Sequence, residues 1–258
     1  MTLHVHEWGN RDAPPLLCLH GITSHGARFR RLAAERLGAY RVLAPDLRGH
    51  GLSEWEPPWN LARHVDDVLE TMDALHLERA DVVGHSFGGR LALELAAHRP
   101  ERVARAILLD PAVWVPPAVA LERAERHRPD ESFASIADAV EARLADNPKA
   151  PRTLVEEELP HHLRLGDDGR WRFRYAPVAV VAAYGEMATP PPLDRVLAPV
   201  LLIRALDSEV VPEPLAEIVR DTLSDCKVVT VPGGHIVMWD ALAETADAML
   251  NFLENSRA

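Results

Sequence analysis

The segment Val82-Val83-Gly84-His85-Ser86-Phe87-Gly88-Gly89 constrains this chain more than any other. An aliphatic run ends there in small residues, and a small-residue helix start follows. Gly84 and Gly88 bracket Ser86 at the spacing Gly-x-Ser-x-Gly, which calls for a strand, a very tight turn and a helix in succession. No Cβ fits where such a turn packs the helix against the sheet, so both glycines have a steric reason. A serine on that turn is presented to its surroundings, and the helix N-terminus beneath it favours developing negative charge.

The rest of the chain supplies the scaffold such a turn needs. Aliphatic runs at Pro15–His20, Arg41–Asp46, Ala80–His85, Val103–Asp110, Val200–Ala205 and Lys227–Pro232 read as buried strands, and Thr2–Trp8 reads as an edge strand. Helical spacing of apolar residues fills the gaps, clearest over Leu61–Leu75 and Leu242–Leu253. Strands alternating with helices predict an α/β fold with a mainly parallel sheet. One interval breaks the rhythm: roughly 113–190 lacks parallel-strand signals. Ile136, Val140 and Leu144 mark an amphipathic helix there, and Pro116-Pro117, Pro129, Pro148, Pro151, Pro160 and Pro190-Pro191-Pro192 divide the remainder into short helices and turns. Trp171, Phe173 and Tyr175 alternate like a short extended segment after a turn at Asp168-Gly169-Arg170. The expected domains are an α/β core over 1–112 and 191–258, with a helical cap over 113–190.

Composition removes several function classes. The 28 Lys+Arg against 39 Asp+Glu leave a net charge of −11, which repels phosphate backbones and anionic lipid surfaces. No nucleic-acid or membrane partner is expected, and no apolar run approaches the roughly 18 residues of a membrane helix. Met1 to Gly9 lack the pattern of a signal peptide, which predicts a cytoplasmic protein. Cys18 and Cys226 sit in separate apolar runs and are expected to stay reduced. His4 and His6 share one face of a strand, but no Cys/His spacing suggests a metal centre, and none is expected.

Three further segments accompany the serine turn. Leu17-Cys18-Leu19-His20-Gly21-Ile22 ends a strand in His-Gly, Asp46-Leu47-Arg48-Gly49-His50-Gly51 follows another, and Val231-Pro232-Gly233-Gly234-His235 closes the last with a histidine. In this order and spacing the four segments resemble the α/β-hydrolase superfamily across the core. The resemblance implies an eight-stranded, mainly parallel sheet flanked by helices, with an inserted helical cap. It also implies that Ser86 is a nucleophile, His235 its general base, and the backbone N–H groups of Ile22 and Phe87 the oxyanion hole.

The acid has two candidates. Most of the superfamily carries it after the strand that ends here near Ala205, where Asp207 stands one position early and Ser208 occupies the usual site. Arg204-Ala205-Leu206-Asp207-Ser208 is more similar to a subset with serine there, whose acid ends the preceding strand. Asp110 holds that position, and Asp207 remains the alternative. Trp55, Trp59, Trp114 and Trp239, with His20 and His85, are candidates for the walls of an apolar pocket.

The expected function is cofactor-independent hydrolysis of a small or medium, hydrophobic carboxylic ester through an acyl-enzyme on Ser86. C–C bond cleavage, amide hydrolysis and slow-turnover ligand reception share the same machinery and stand as alternatives. A serine at the elbow excludes relatives that use aspartate there, the haloalkane dehalogenases and epoxide hydrolases. A small-molecule partner and a monomer or homodimer complete the expectation.

Overall fold

A computed structural model describes residues 2–147 and 150–255; the expected break at Pro148 and the outermost residues of the expected core, 1 and 256–258, lie outside them. The chain opens with β1 (Val5–Trp8), β2 (Pro15–Leu19), α1 (Arg30–Arg36), β3 (Arg41–Pro45), α2 (Leu61–Ala74), β4 (Ala80–His85), α3 (Phe87–His98) and β5 (Val103–Leu109). Next come α4 (Pro117–His127), α5 (Ile136–Asp146), α6 (Arg152–His162), β6 (Leu163–Leu165), β7 (Trp171–Phe173) and α7 (Pro177–Met187). The chain closes with β8 (Val200–Ala205), α8 (Glu213–Thr222), β9 (Cys226–Val231), α9 (Val237–Asp240) and α10 (Leu242–Asn255).

The main sheet runs β1-β3-β2-β4-β5-β8-β9, parallel except for β1, which pairs antiparallel with β3. It has seven strands where the family resemblance implies eight. The reason is chemical: seven segments of the sequence carry a strand pattern compatible with this sheet, and each forms one strand of it. The central strands are buried on both faces, which is why β2 reads as an unbroken apolar run rather than an alternation. Four strand spacings separate Cys18 on β2 from Cys226 on β9, roughly 19 Å and beyond disulfide reach; both thiols are free.

Between β5 and β8 the chain leaves the sheet and builds α4 to α7 with the two-stranded sheet β6-β7. The turn between these two strands has Gly169 at φ +73°, as Asp168-Gly169-Arg170 predicts. Pro160 does not break α6. It sits in the last turn, where one missing N–H costs a single bond before the chain enters β6. This insertion lies on the loops that follow β2 and β3: Gly51 N–H donates to Arg174 O at 2.7 Å and Ala176 N–H to Gly49 O at 2.7 Å. Glu186 of α7 accepts from Leu61 N–H at the start of α2.

Candidate active site

The strand-to-helix turn at Ser86 is as tight as its glycines require. A Cβ on Gly84 would lie 2.3 Å from Gly88 O, and one on Gly88 would lie 2.0 Å from Leu19 O. Ser86 itself takes φ +53°, a left-handed conformation that costs a side-chain-bearing residue about 1–3 kcal/mol. Surrounding bonds hold it there: Ser86 N–H donates to Leu109 O at 3.1 Å, and Ser86 O accepts from Gly89 and Ala112 N–H groups at 2.9 Å each. The hydroxyl therefore stands at the head of α3, whose first N–H groups have no partner within the helix. Phe87, the first residue of α3, supplies one of them.

Gly21 approaches the serine from the loop after β2. A Cβ on Gly21 would lie 3.1 Å from Ser86 Cβ and 3.1 Å from His85 Nδ1. A side chain here would press on both neighbours, and the next N–H belongs to Ile22. Two histidines hold that loop. His20 is fully buried, donates from Nδ1 to Gly21 O at 2.8 Å and accepts at Nε2 from Leu47 N–H at 2.9 Å. His50 donates from Nε2 to Ile22 O. Both His20 nitrogens are committed to backbone groups, so His20 ties two loops together rather than facing a pocket.

Asp110 ends β5 with φ +40°, the second strained residue of the site. Its side chain is wholly buried and accepts three hydrogen bonds. Oδ1 takes Ala205 N–H at 3.0 Å, and Oδ2 takes Ser208 Oγ–H at 2.5 Å and His235 Nδ1–H at 2.7 Å. His235 is about one-third exposed, at 35% of its side-chain surface. Asp207 is exposed, and its backbone N–H donates to Gly233 O at 2.9 Å, bracing the loop that carries His235. Of the two carboxylates, Asp110 is the one hydrogen-bonded to the histidine ring.

His85 lies beneath the pair. Its Nε2–H donates to His235 O at 2.9 Å, and the two rings are 4.7 Å apart. Burial, with repulsion from His235 added, pulls the His85 pKa down to about 3, so the ring is neutral at physiological pH. The tryptophans divide. Trp239 is buried beneath the Arg28 guanidinium, 4.1 Å away. Trp55 and Trp59 bond to Gly51 O and Trp55 O within the loop after β3, and Trp114 is 38% exposed with its N–H on Ala188 O.

His4, His6 and Asp46 bring potential metal-ligand atoms within 4.8 Å of one another. The Asp46 carboxylate is already engaged by His6 Nε2, Gly26 N–H and Leu52 N–H, at 3.1, 2.7 and 2.9 Å. Burial opposes its ionisation, but these donors outweigh it and keep Asp46 a carboxylate. The trio fastens β1 to the loops after β2 and β3.

Sequence reasoning located Ser208 as a family position but not as a donor to Asp110, and it missed Arg28 altogether.

The comparisons bear on the whole chain. A family model described as the alpha/beta hydrolase fold matches residues 14–242. The chain belongs to the alpha/beta hydrolase family. It is accordingly an enzyme of the hydrolase class. It is 32% identical over 247 residues to lipase LipV of Mycobacterium tuberculosis, covering 92% of each chain. It is 31% identical to the 2-(acetamidomethylene)succinate hydrolase of Mesorhizobium japonicum, across 98% of this chain and 92% of that one. The solved structure of E-2-(acetamidomethylene)succinate hydrolase superposes with a TM-score of 0.90 at 26% identity, covering 98% of this chain and 95% of the other. Among the described residues no helix is long and apolar enough to cross a membrane.

Proposed function

We propose that this hydrolase cleaves carboxylic esters of small or medium size by acyl transfer through Ser86. One observation carries the reading: His235 Nδ1–H donates to the buried Asp110 at 2.7 Å, beside a serine held at positive φ on the head of a helix. That bond leaves Nε2 of His235 free to take a proton. As Ser86 Oγ attacks the ester carbonyl, its proton passes to His235 Nε2 and the carbonyl π electrons move onto oxygen. The Ile22 and Phe87 N–H groups receive that oxyanion, each donor contributing about 3–4 kcal/mol to the transition state. Collapse expels the alcohol, which takes the proton from His235 and leaves an acyl-enzyme. Water then attacks, gives one proton to His235, and the proton returns to Ser86 as the acid departs.

Under this reading the insertion over 113–190 is a cap, and its contacts with the loops after β2 and β3 make it the upper wall of the site. Trp239 and the indoles of the loop after β3 support an apolar substrate. Amide cleavage is the second reading, favoured by a relative named for an acetamido compound and similar over nearly the full chain. A cytoplasmic monomer or homodimer acting on a small molecule completes the proposal.

The test is a series of p-nitrophenyl esters from acetate to a long acyl chain, run on wild type and Ser86→Ala. Sustained turnover that peaks at short or medium chains and is lost in Ser86→Ala is expected. Turnover that survives in Ser86→Ala refutes the nucleophile. Absence of turnover on every ester, with cleavage of matched N-acyl substrates, moves the assignment to the amide reading.

A further inference from the structure

Four arginines are buried among the described residues, and three of them make three hydrogen bonds each. Arg48 donates twice to Asp67 and once to Glu56 O. Arg90 donates to Glu94 and to the carbonyls of Val113 and Thr189. Arg105 donates twice to Asp81 and once to Leu253 O. Arg28 is different. It is 6% exposed, and its Nε is buried without a hydrogen-bond partner among the described residues. That Nε stands 3.3 Å from Glu158, a distance that places charge against charge without bond geometry. A buried donor without an acceptor is costly unless something occupies it.

The surroundings share this pattern. Ser24 Oγ and both ring nitrogens of the fully buried His162 also lack partners, and His162 stacks 4.6 Å from His25 on the loop that carries Arg28. Arg143 of α5 lies 4.9 Å over Phe173, close enough for its charge to act on Arg28 and His162. Two guanidiniums against the one carboxylate of Glu158 leave a single uncompensated positive charge; His25 and His162 are neutral because burial lowers their pKa values. Burial also draws Arg28 down to about 10, which still leaves it a cation at neutral pH. A cleft of about 120 Å³, whose charged lining is Arg28, Arg30, Arg31, Glu35, Glu157 and Glu158, opens beside it. Within it Arg30 is already taken by Glu157 at 2.6 Å and Arg31 by Glu35 at 2.9 Å. Arg28 lies six residues beyond Ile22 in sequence and packs on Trp239, four residues beyond His235.

We propose that Arg28, supported by Arg143, His162 and Ser24, is a subsite for a carboxylate carried by the substrate, between the loop after β2 and α6. A single carboxylate matches the one uncompensated charge and the planar fork of the guanidinium. The proposal rests on the ester-hydrolase reading and narrows it to acids bearing a second, free carboxylate.

The test pairs monoethyl succinate, glutarate and adipate with the neutral ethyl esters of equal length. At least one monoanionic ester is expected to exceed its neutral partner tenfold or more in kcat/KM. The chain carries a net charge of −11, so its overall field works against that preference. Arg28→Gln should lower kcat/KM at least tenfold more for the anionic ester than for the neutral one. Arg28→Lys should restore part of the difference, and Glu158→Gln should increase it. Added salt should erode the preference in the wild type, a readout that holds even if Arg28→Gln fails to fold. Neutral esters cleaved as well as or better than anionic ones at every length would overturn the subsite and leave the esterase reading standing. If no ester is cleaved, calorimetry of Ser86→Ala with glutarate decides: binding lost on adding Arg28→Gln upholds the subsite, and no binding, or binding that survives Arg28→Gln, overturns it.

Discussion

Asp110→Asn separates the two candidate acids because asparagine matches aspartate in size and differs only in what it can accept. In the wild type the carboxylate receives Ala205 N–H, Ser208 Oγ–H and His235 Nδ1–H. The asparagine Oδ1 can still take Ala205 N–H at 3.0 Å. Its Nδ2 then faces Ser208, whose hydroxyl can rotate to accept, and His235 Nδ1, which must also accept. That forces the ring proton onto Nε2, the atom that has to remove the proton of Ser86. Two hydrogen bonds are reversed with no change of size, so stability should fall by about 1–3 kcal/mol. Activity should fall far more. A triad left in the wrong tautomer loses about 10⁴ in kcat, or about 5.4 kcal/mol at 1.36 kcal/mol per decade. Asp207→Asn alters an exposed carboxylate and should stay within about threefold of wild type. The assay is kcat on whichever ester the wild type turns over, with thermal melts as the folding control and ¹⁵N shifts of His235 reporting the tautomer. Asp207→Asn losing 100-fold or more while Asp110→Asn keeps a tenth of its activity would refute the assignment.

Three other predictions are independent of that choice. Gly21→Ala puts a methyl 3.1 Å from both His85 Nδ1 and Ser86 Cβ, so the loop or these neighbours must shift by a few tenths of an ångström beside the Ile22 N–H; steady-state kinetics should show kcat reduced about tenfold with KM little changed. Arg105→Met strands the buried Asp81 carboxylate, which Arg105 holds at 2.7 and 2.6 Å, and should cost about 3–5 kcal/mol, read as a fall in Tm of roughly 10 °C. Acid should destabilise the fold through histidines buried neutral: His64 and His85 are both pulled down to about 3, chiefly by burial. The unfolded chain binds their protons below about pH 6.5 and the folded one does not, so urea melts at pH 7 and pH 5 should differ by about 2 kcal/mol per histidine, with lower stability at pH 5.

What the sequence disclosed and what it withheld divide along one physical line. Gly84 and Ser86 were legible because their constraint is local: a Cβ on Gly84 would meet Gly88 four residues on, whereas Gly88 makes room for Leu19 of β2. The inner parallel strands were legible because burial on both faces makes them mostly aliphatic, as in β2 and β8. Asp110 was half legible. Its position follows from β5, but only Ser208, 98 residues later, marks it as the acid that meets His235. Arg28 was not legible at all, since its environment is assembled from α5, α6 and α9, and nothing near it in sequence distinguishes it from Arg30 or Arg31. The difference between these three arginines is burial: Arg30 and Arg31 reach Glu157 and Glu35 in partly open positions, whereas Arg28 is enclosed with its Nε unbonded. A fold can be read from what each segment cannot avoid. The subsite we propose depends instead on charges that the fold brings together from distant segments and leaves incompletely paired, which is why a substrate carboxylate is the group we expect to complete them.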